Sequence, residues 1–270
     1  MSHPVTKRQL LPFAALSASY FAHAGFFSPY LSLWLSDLGY SLAAIGVMSA
    51  LQPATRLFAP YLWGVLSDRS GERVKLMRFG ATGALLIALA LWLPLGPVAL
   101  FVVLLLLFSH TSALMPMSEA ALAQLVSQGG DFDSRRYGRV RLWGSIGFLG
   151  TVLLAGWWFE HFGSSHFPGW AVVTLLALVL SVWWLPDHKE PAHRSNEPAP
   201  AVGPLLRQPA VRWLFASVFF HVLAHIFIYA FFSLHLDQLG YSKTVIGLFW
   251  GISVVIEIGW FFTQGRWLPR

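Results

Sequence analysis

The sequence contains no cysteine and very little charge. Without a thiol in the chain, disulfide bridges, thiolate metal sites and cysteine nucleophiles are all excluded. Charged residues make up 11% of the 270 positions, whereas soluble domains carry about 25%. Hydrophobic residues reach 56%, and the mean hydropathy is +0.60. A soluble domain of this size needs far more polar surface, so an ordinary soluble enzyme is excluded.

Three motifs of nucleotide binding and hydrolysis are also missing. The sequence has no G-x-x-x-x-G-K-[ST] for an ATP-driven pump, no G-x-G-x-x-G for a dinucleotide and no G-x-S-x-G for a hydrolase. Ser164, Ser165 and His166 lie close together, but in a polar loop between apolar stretches. An intramembrane hydrolase therefore remains only a formal alternative, and we do not expect an enzyme.

Eight apolar stretches are each long enough to cross a membrane, for which a helix needs about 20 residues. They cover residues 10–35, 42–66, 77–95, 98–125, 140–159, 169–186, 211–236 and 244–264. Turn-forming residues separate several of them, namely Gly39, residues 94–97, Gly163, Pro168 and Gly240. The first stretch is too long for the apolar region of a signal peptide and lacks a clear cleavage site. The pattern predicts an all-α membrane protein.

The basic residues are distributed unevenly between the two sides of these spans. Fifteen of the 18 Lys and Arg residues fall on one side. They are Lys7, Arg8, Arg69, Arg73, Lys75, Arg78, Arg135, Arg136, Arg139, Lys189, Arg194, Arg207, Arg212, Arg266 and Arg270. The opposite side carries only Lys243, and two arginines fall within spans. By the positive-inside rule both termini are cytoplasmic, so the basic pI of 9.9 reflects topology and no nucleic-acid partner is expected.

A polar segment divides the spans into six and two. Residues 187–208 contain Pro191, Pro198, Pro200 and Pro204, a composition typical of a flexible cytoplasmic linker. It separates residues 1–186, with six spans, from residues 209–270, with two.

The two parts are similar in sequence at an offset of 201. Between residues 32–46 and residues 233–247, nine of fifteen positions are identical, including a polar Leu-Gly-Tyr-Ser turn. A repeat in the same orientation indicates two similar halves related by an axis along the membrane normal. The second half has only two of six helices, so we expect a C-terminal truncation of a twelve-helix protein; a natural eight-helix protein is the alternative.

The segment from Gly64 onward reads GVLSDRSGERVK. It resembles the G-x-L-x-D-R-x-G-x-R signature of the major facilitator superfamily, which implies the fold of that family. We expect Gly64 to let helices pack closely, Asp68 to accept charged hydrogen bonds at a helix end, and Gly71 to form a tight turn. Arg69 and Arg73 hold the loop on the cytoplasmic side. The resemblance implies that this motif takes part in gating, with a latch partner on an eleventh helix.

A second resemblance points to one branch of that superfamily. Ser118-Glu119-Ala120 and the run YGRVRLWGS at 137–145 are similar to the 3-phenylpropionate transporter branch of proton symporters, which is related to lactose permease. The resemblance implies that Glu119 and Arg141 pair with each other and bind the substrate. Phe148 stands where lactose permease has a tryptophan that stacks on the sugar. An aromatic acid is the favoured substrate, with a sugar and a nucleoside as alternatives.

Ionisable residues inside spans cost several kcal/mol unless paired or hydrated, so they are functional candidates. Glu257 lies in the middle of span 8, and the resemblance implies that it faces span 5, near Arg141, and handles the proton. A dry cavity favours the protonated carboxyl group, and a nearby arginine favours the charged one. Alternation between these two environments would couple the protonation of Glu257 to transport. Arg56 aligns with Glu257 at the offset of 201 and either binds a substrate carboxylate or pairs with an acidic group in absent helices.

The histidines give weaker signals. His221 and His225 have the i,i+4 spacing of metal sites, but the glutamate of H-E-x-x-H is absent, so we expect no metal. His23 and His110 are candidates for a proton path, although ordinary hydrogen bonding explains them equally well.

These observations favour a monomeric proton-coupled symporter in the bacterial inner membrane. Its partners are a small-molecule substrate and the lipid bilayer, and the proton replaces any cofactor. Alternating access around a midplane site is the expected mechanism. A membrane sensor or assembly partner that does not transport is the alternative from a different class.

Overall fold

The structure, a computed structural model of the chain, describes residues 7–127, 133–187 and 202–263. These ranges contain helices and turns and no strand. The helices are α1 (Lys7–Asp37), α2 (Leu42–Ser70), α3 (Arg73–Ala88), α4 (Pro97–Thr111), α5 (Leu114–Ser127), α6 (Ser134–Phe162), α7 (Phe167–Trp183), α8 (Val202–Leu206), α9 (Pro209–Gln238) and α10 (Lys243–Thr263). Short 3₁₀ turns follow α3 at Leu89–Trp92 and α6 at Ser164–His166. The predicted all-α membrane class is confirmed, because the described residues form eight spans that are long and apolar enough to cross a bilayer, one of them made of α4 and α5 together.

The fourth span is broken into α4 and α5, which the sequence pattern did not predict. The break lies at Ser112 and Ala113, just before Pro116. A proline has no N–H to donate, and its ring clashes with the carbonyl four residues earlier, here that of Ser112. The chain therefore leaves the helix for two residues and starts it again at Leu114.

Part of the predicted linker lies outside the described residues. Residues 188–201, with Lys189, Arg194 and three of the linker prolines, belong to that part, as do Arg266 and Arg270. Within the described part of the linker, Val202–Leu206 forms the short helix α8 rather than an irregular chain.

The internal repeat is also a repeat of local structure. The α1–α2 turn places Gly39 at φ +83, and the α9–α10 turn places Gly240 at φ +85, a backbone conformation that favours glycine. Each glycine N–H bonds the carbonyl three residues earlier, at 2.9 Å. Ser41 then accepts from the N–H of Ala44 at 3.3 Å, and Ser242 from that of Val245 at 3.4 Å, so both following helices begin with the same serine cap.

Helix α1 packs into the middle of the bundle, most extensively against α6 and α7. Glycines allow the approach to α6: an added Cβ at Gly147 would lie 2.1 Å from the Ala18 carbonyl oxygen, and one at Gly25 would lie 2.7 Å from that of Phe148. Small residues at such crossings are expected in lipid, where no hydrophobic force drives helices together. In contrast, Gly64 has no atom within 4 Å of an added Cβ, so the prediction that it lets helices pack closely is wrong for the described residues.

The loops define two ends of the bundle that differ in charge. We call the end that carries the α2–α3 and α5–α6 connections the basic end, because seven arginines and lysines cluster there: Arg69, Arg73, Lys75, Arg78, Arg135, Arg136 and Arg139. The opposite end, which we call the acidic end, carries Asp37, Glu160 and Asp237 with the single cation Lys243. Helices α9 and α10 attach to the first six spans mainly through α10 against α6 and α9 against α1.

Substitution of Gly147 by Ala should destabilise the bundle by about 1–3 kcal/mol, because a methyl group there overlaps the backbone of α1. The matched control is Gly150→Ala in the same helix, where nothing lies within 4 Å and alanine should be neutral or slightly stabilising. Thermal unfolding of the purified variants in detergent measures both effects. Equal midpoints for the two variants would contradict the α1–α6 contact.

Candidate functional site

Glu119 and Arg141 form an ion pair, as the resemblance implied. The carboxylate oxygen of Glu119 on α5 lies 2.6 Å from a terminal nitrogen of Arg141 on α6. The two side chains are 34% and 37% exposed, so the pair is not sealed within the helix packing. The two opposite charges inside the spanning segments are therefore paired, and both side chains remain partly exposed.

Phe21 positions the same arginine from α1. The Arg141 guanidinium carbon lies 5.1 Å from the centroid of the Phe21 ring, a cation–π arrangement. The ring occupies the space opposite Gly144, where an added Cβ would lie 2.5 Å from it. Tyr20 packs edge-on against Phe21 with ring centroids 5.4 Å apart. Arg141 is thus held by a carboxylate from α5 and an aromatic face from α1.

Two tyrosines connect this pair to the other intramembrane charges. Tyr20 is close enough to Arg56, Glu119 and Arg141 to feel the charge of each. Tyr229 on α9 is similarly close to both Arg56 and Glu257. The charged candidates from spans 2, 4, 5 and 8 therefore each act electrostatically on at least one of these two tyrosines.

Arg56 and Glu257 are exposed, and neither forms an ion pair with another of the residues that the structure describes. Helices α6 and α10 pack antiparallel, with Gly247 against Val152 and Gly251 against Leu149 and Leu153. Continuing that register places Glu257 near the level of Gly144. The predicted approach of Glu257 to Arg141 stays a prediction, and the ion-pair partner of Arg141 in the structure is Glu119.

Phe148 lies on α6 two turns beyond Arg141 and is only 9% exposed. Its backbone faces Gly25 on α1, and its side chain belongs to the hydrophobic core. A substrate can stack on this ring only if the surrounding helices move apart.

The signature loop adopts much of the expected geometry. Gly71 ends α2 in the left-handed conformation at φ 69, as predicted, and its N–H bonds the Ser67 carbonyl at 2.8 Å. Asp68 and Arg69 lie in the last turn of α2 rather than in a loop. Arg73, whose side chain is 11% exposed, lies 3.8 Å from Asp68, whose side chain is 62% exposed. The carboxylate is therefore accessible for a further partner at the basic end.

Two of the histidines form hydrogen bonds inside the helix bundle. The Thr174 hydroxyl donates to the Trp170 carbonyl at 2.8 Å, so it accepts from Nδ1 of His23, 2.9 Å away, and this assigns the Nδ1–H tautomer. His110 Nδ1 bonds the Leu106 carbonyl of its own helix at 2.8 Å. Across the described ranges, no group of three His, Cys, Asp or Glu side chains could hold a metal ion.

Sequence reasoning missed Phe21, Tyr20 and Tyr229. Each lies in a span rich in other aromatic residues, so composition and spacing give no signal that separates them from lipid-facing or core aromatics. Only the helix crossings bring them to the charged residues.

Spanning helices in two repeated halves, with charged residues inside them and a glycine turn motif at the basic end, are the features of the major facilitator fold. The chain belongs to the MFS_1 like family, whose model matches residues 15–270.

The relatives are transporters with different named substrates. The chain is 34% identical over 242 residues to "Maltose permease" of Geobacillus stearothermophilus, covering 85% of this chain and 57% of that protein. It is 25% identical over 241 residues to "Probable 3-phenylpropionic acid transporter" of Escherichia coli (strain K12), covering 89% of this chain and 62% of that protein. The chain therefore spans about six-tenths of the length of these curated relatives.

Solved structures agree on the fold. The nucleoside transporter NupG matches with a TM-score of 0.73 at 18% identity, covering 96% of this chain and 67% of that one. The peptide transporter POT in complex with sulfate matches with a TM-score of 0.54 at 18% identity, covering 98% of this chain and 55% of that one.

A double-mutant cycle with Glu119→Gln and Arg141→Gln should give a coupling energy for folding of about 1 kcal/mol or less. Both side chains are about one-third exposed, and solvent screens such pairs strongly. Thermal unfolding of the two single variants and the double variant measures it. A coupling of several kcal/mol would mean that the pair is dry and structural, contrary to the site geometry.

Proposed function

We propose that this protein takes part in the proton-coupled uptake of a small organic solute by alternating access. The observation that carries the proposal is the Glu119–Arg141 pair within the spanning region, whose side chains are about one-third exposed and whose guanidinium lies against Phe21. A charge pair built only for stability has no reason to stay accessible, because an exposed pair contributes little to folding. Membership of a transporter family supports the same role.

In this proposal Arg141 binds an anionic or polar group of the substrate. Glu119 and Phe21 fix the guanidinium, whose remaining N–H groups are left to form a planar donor pair toward the substrate. Arg56 supplies a second cation whose charge also acts on Tyr20. Phe148 stacks on the substrate ring once the α1–α6 packing around it loosens.

We infer that the substrate is an aromatic acid such as 3-phenylpropionate. Arg141 and Arg56 both lie near Tyr20, and two cations beside one phenol suit a carboxylate better than a neutral sugar. A disaccharide is the second candidate, because the maltose permease is the more similar of the two curated relatives described above. A nucleoside is favoured by fold similarity alone.

Glu257 is the proposed proton carrier. It is exposed, and its charge and that of Arg56 both act on Tyr229. When Arg56 approaches, the charged carboxylate is favoured; when the arginine binds substrate or moves away, the protonated form is favoured. This exchange couples proton movement to substrate occupancy without a further cofactor.

The basic end is proposed to face the cytoplasm of a bacterial inner membrane, with both ends of the chain on that side. The motif of Asp68, Arg69, Gly71 and Arg73 would then act in gating at the cytoplasmic surface. The relatives are longer than this chain, so we propose that complete transport by a monomer uses four helices beyond those described here.

Replacement of Arg141 by Lys should weaken substrate binding by about tenfold or more, because lysine cannot form the planar donor pair. Arg139→Lys, an exposed position on the same helix, is the control and should bind normally. Scintillation-proximity binding of labelled 3-phenylpropionate to the purified chain, with maltose and uridine as competitors, measures affinity and preference together. If the labelled 3-phenylpropionate does not bind, or if both variants bind it equally, the proposed site is wrong; displacement by maltose or uridine would instead favour a sugar or a nucleoside.

Replacement of Glu257 by Gln should leave substrate exchange intact while removing the dependence of net uptake on a proton gradient. The neutral amide cannot load or release a proton, but its shape is conserved. Counterflow and gradient-driven uptake in proteoliposomes of the longest available form separate the two processes. Asp237→Asn, on the adjacent helix, is the control; loss of counterflow along with uptake in the Glu257 variant would refute the role.

A further inference from the structure

The two halves of the chain touch closely at the acidic end. Gly247 on α10 approaches Tyr30 of α1 and Val152 of α6, where an added Cβ would lie 2.5 Å from the tyrosine hydroxyl and 2.8 Å from the carbonyl oxygen of Val152. Gly156 on α6 would similarly place a Cβ 2.7 Å from the Lys243 carbonyl. The Tyr30 hydroxyl donates to the Val152 carbonyl at 2.9 Å. Backbones of α6 and α10 are thus in direct contact here.

Toward the basic end the described residues show no such close approach. Gly259 of α10 has no atom within 4 Å of an added Cβ, whereas Gly247 and Gly251 both lie against α6. The acidic end therefore holds the closed contact between the halves in this conformation. Alternating access requires that this contact open and re-form. An interaction that stabilises the contact therefore affects the transport cycle.

Glu160, near the end of α6, accepts a hydrogen bond across this contact. Its Oε2 accepts the backbone N–H of Thr244 at 3.0 Å, in the first turn of α10. The first N–H groups of a helix have no partners within the helix, and the positive end of the helix dipole favours a carboxylate. The hydroxyls of Ser242 and Thr244 lie beside the same carboxylate. A side chain from the first half thus caps a helix of the second.

The internal repeat shows that this cap is additional to the ordinary one. Ser242 caps α10 through the N–H of Val245, just as Ser41 caps α2 through that of Ala44. The repeat equivalent of Thr244 is Ala43, and no described carboxylate bonds its N–H. Helix α10 therefore needs no carboxylate to begin, and the bond from Glu160 serves to join the halves.

We propose that Glu160 is a gating residue that holds the acidic end closed by capping α10 across the interface between the halves. The proposal deepens the alternating-access function above and assumes no substrate. The bond is made only while α6 and α10 are in contact, so it contributes to the closed state and is absent from the open one. Removing the charge, the acceptor or both should shift the population toward the open state in graded steps.

The absence of native cysteine makes this directly measurable. Spin labels on Phe162→Cys and Leu239→Cys, two exposed positions at the acidic end of opposite halves, report the separation of α6 from the α9–α10 hairpin. Double electron–electron resonance on the full chain in nanodiscs gives the distance distribution. Glu160→Gln, which keeps an acceptor but no charge, should broaden it toward longer distances, and Glu160→Leu should do so by a larger fraction.

Asp237→Asn is the matched control. Asp237 is a carboxylate at the same end, but it lies 3.7 Å from Lys243 within the α9–α10 hairpin, so its loss breaks no bond between the halves. Its distribution should equal that of the parent. Unchanged distances in both Glu160 variants, with helicity retained by circular dichroism, would overturn the proposal. The same shift in Asp237→Asn would also overturn it. Neither outcome depends on substrate binding, so failure of the transport assignment is detected separately.

Discussion

Lipid offers neither hydrogen bonds to a polar group nor a hydrophobic force that pushes apolar helices together, and the structure depends on this constraint. Helices must then be held by close backbone approach, which explains why glycine occupies the crossings of α1 with α6 and of α6 with α10. Several polar groups in the spans form hydrogen bonds within their own helix or to a neighbouring helix. Thr174 bonds its own helix and His23, and Trp63 Nε1 donates to the Ser109 carbonyl at 3.0 Å.

Against that background the charges fall into two kinds. Those at the ends, such as Arg78 with Asp187 at 2.6 Å, join neighbouring helices beside water. Those inside the spans, Arg56, Glu119, Arg141 and Glu257, are only partly paired and remain accessible. Because charge within a membrane is costly when unpaired, these four residues are the ones on which the proposed function rests.

The sequence was sufficient for features that depend on neighbours in the chain. Span positions follow from composition, and the Gly39 and Gly240 turns follow from a repeated tetrapeptide that closes on itself. Features that depend on helix crossings were not accessible. Three such features depend on which helices cross and where along their length they do so. They are the free space around Gly64, the burial of Phe148 and the position of Phe21 against Arg141. The break before Pro116 was visible in principle but was masked by the strongly apolar run around it.

That break gives α5 a mechanical property of its own. The hydrogen-bond ladder of α4 does not continue through it, so α5 can tilt about Ser112 as a short lever without losing helical bonds. Glu119 lies seven residues beyond Ser112, a rise of about 10.5 Å. A tilt of roughly ten degrees about Ser112 would move its Cα by about 2 Å, which is enough to lengthen the ion pair with Arg141 beyond hydrogen-bond distance.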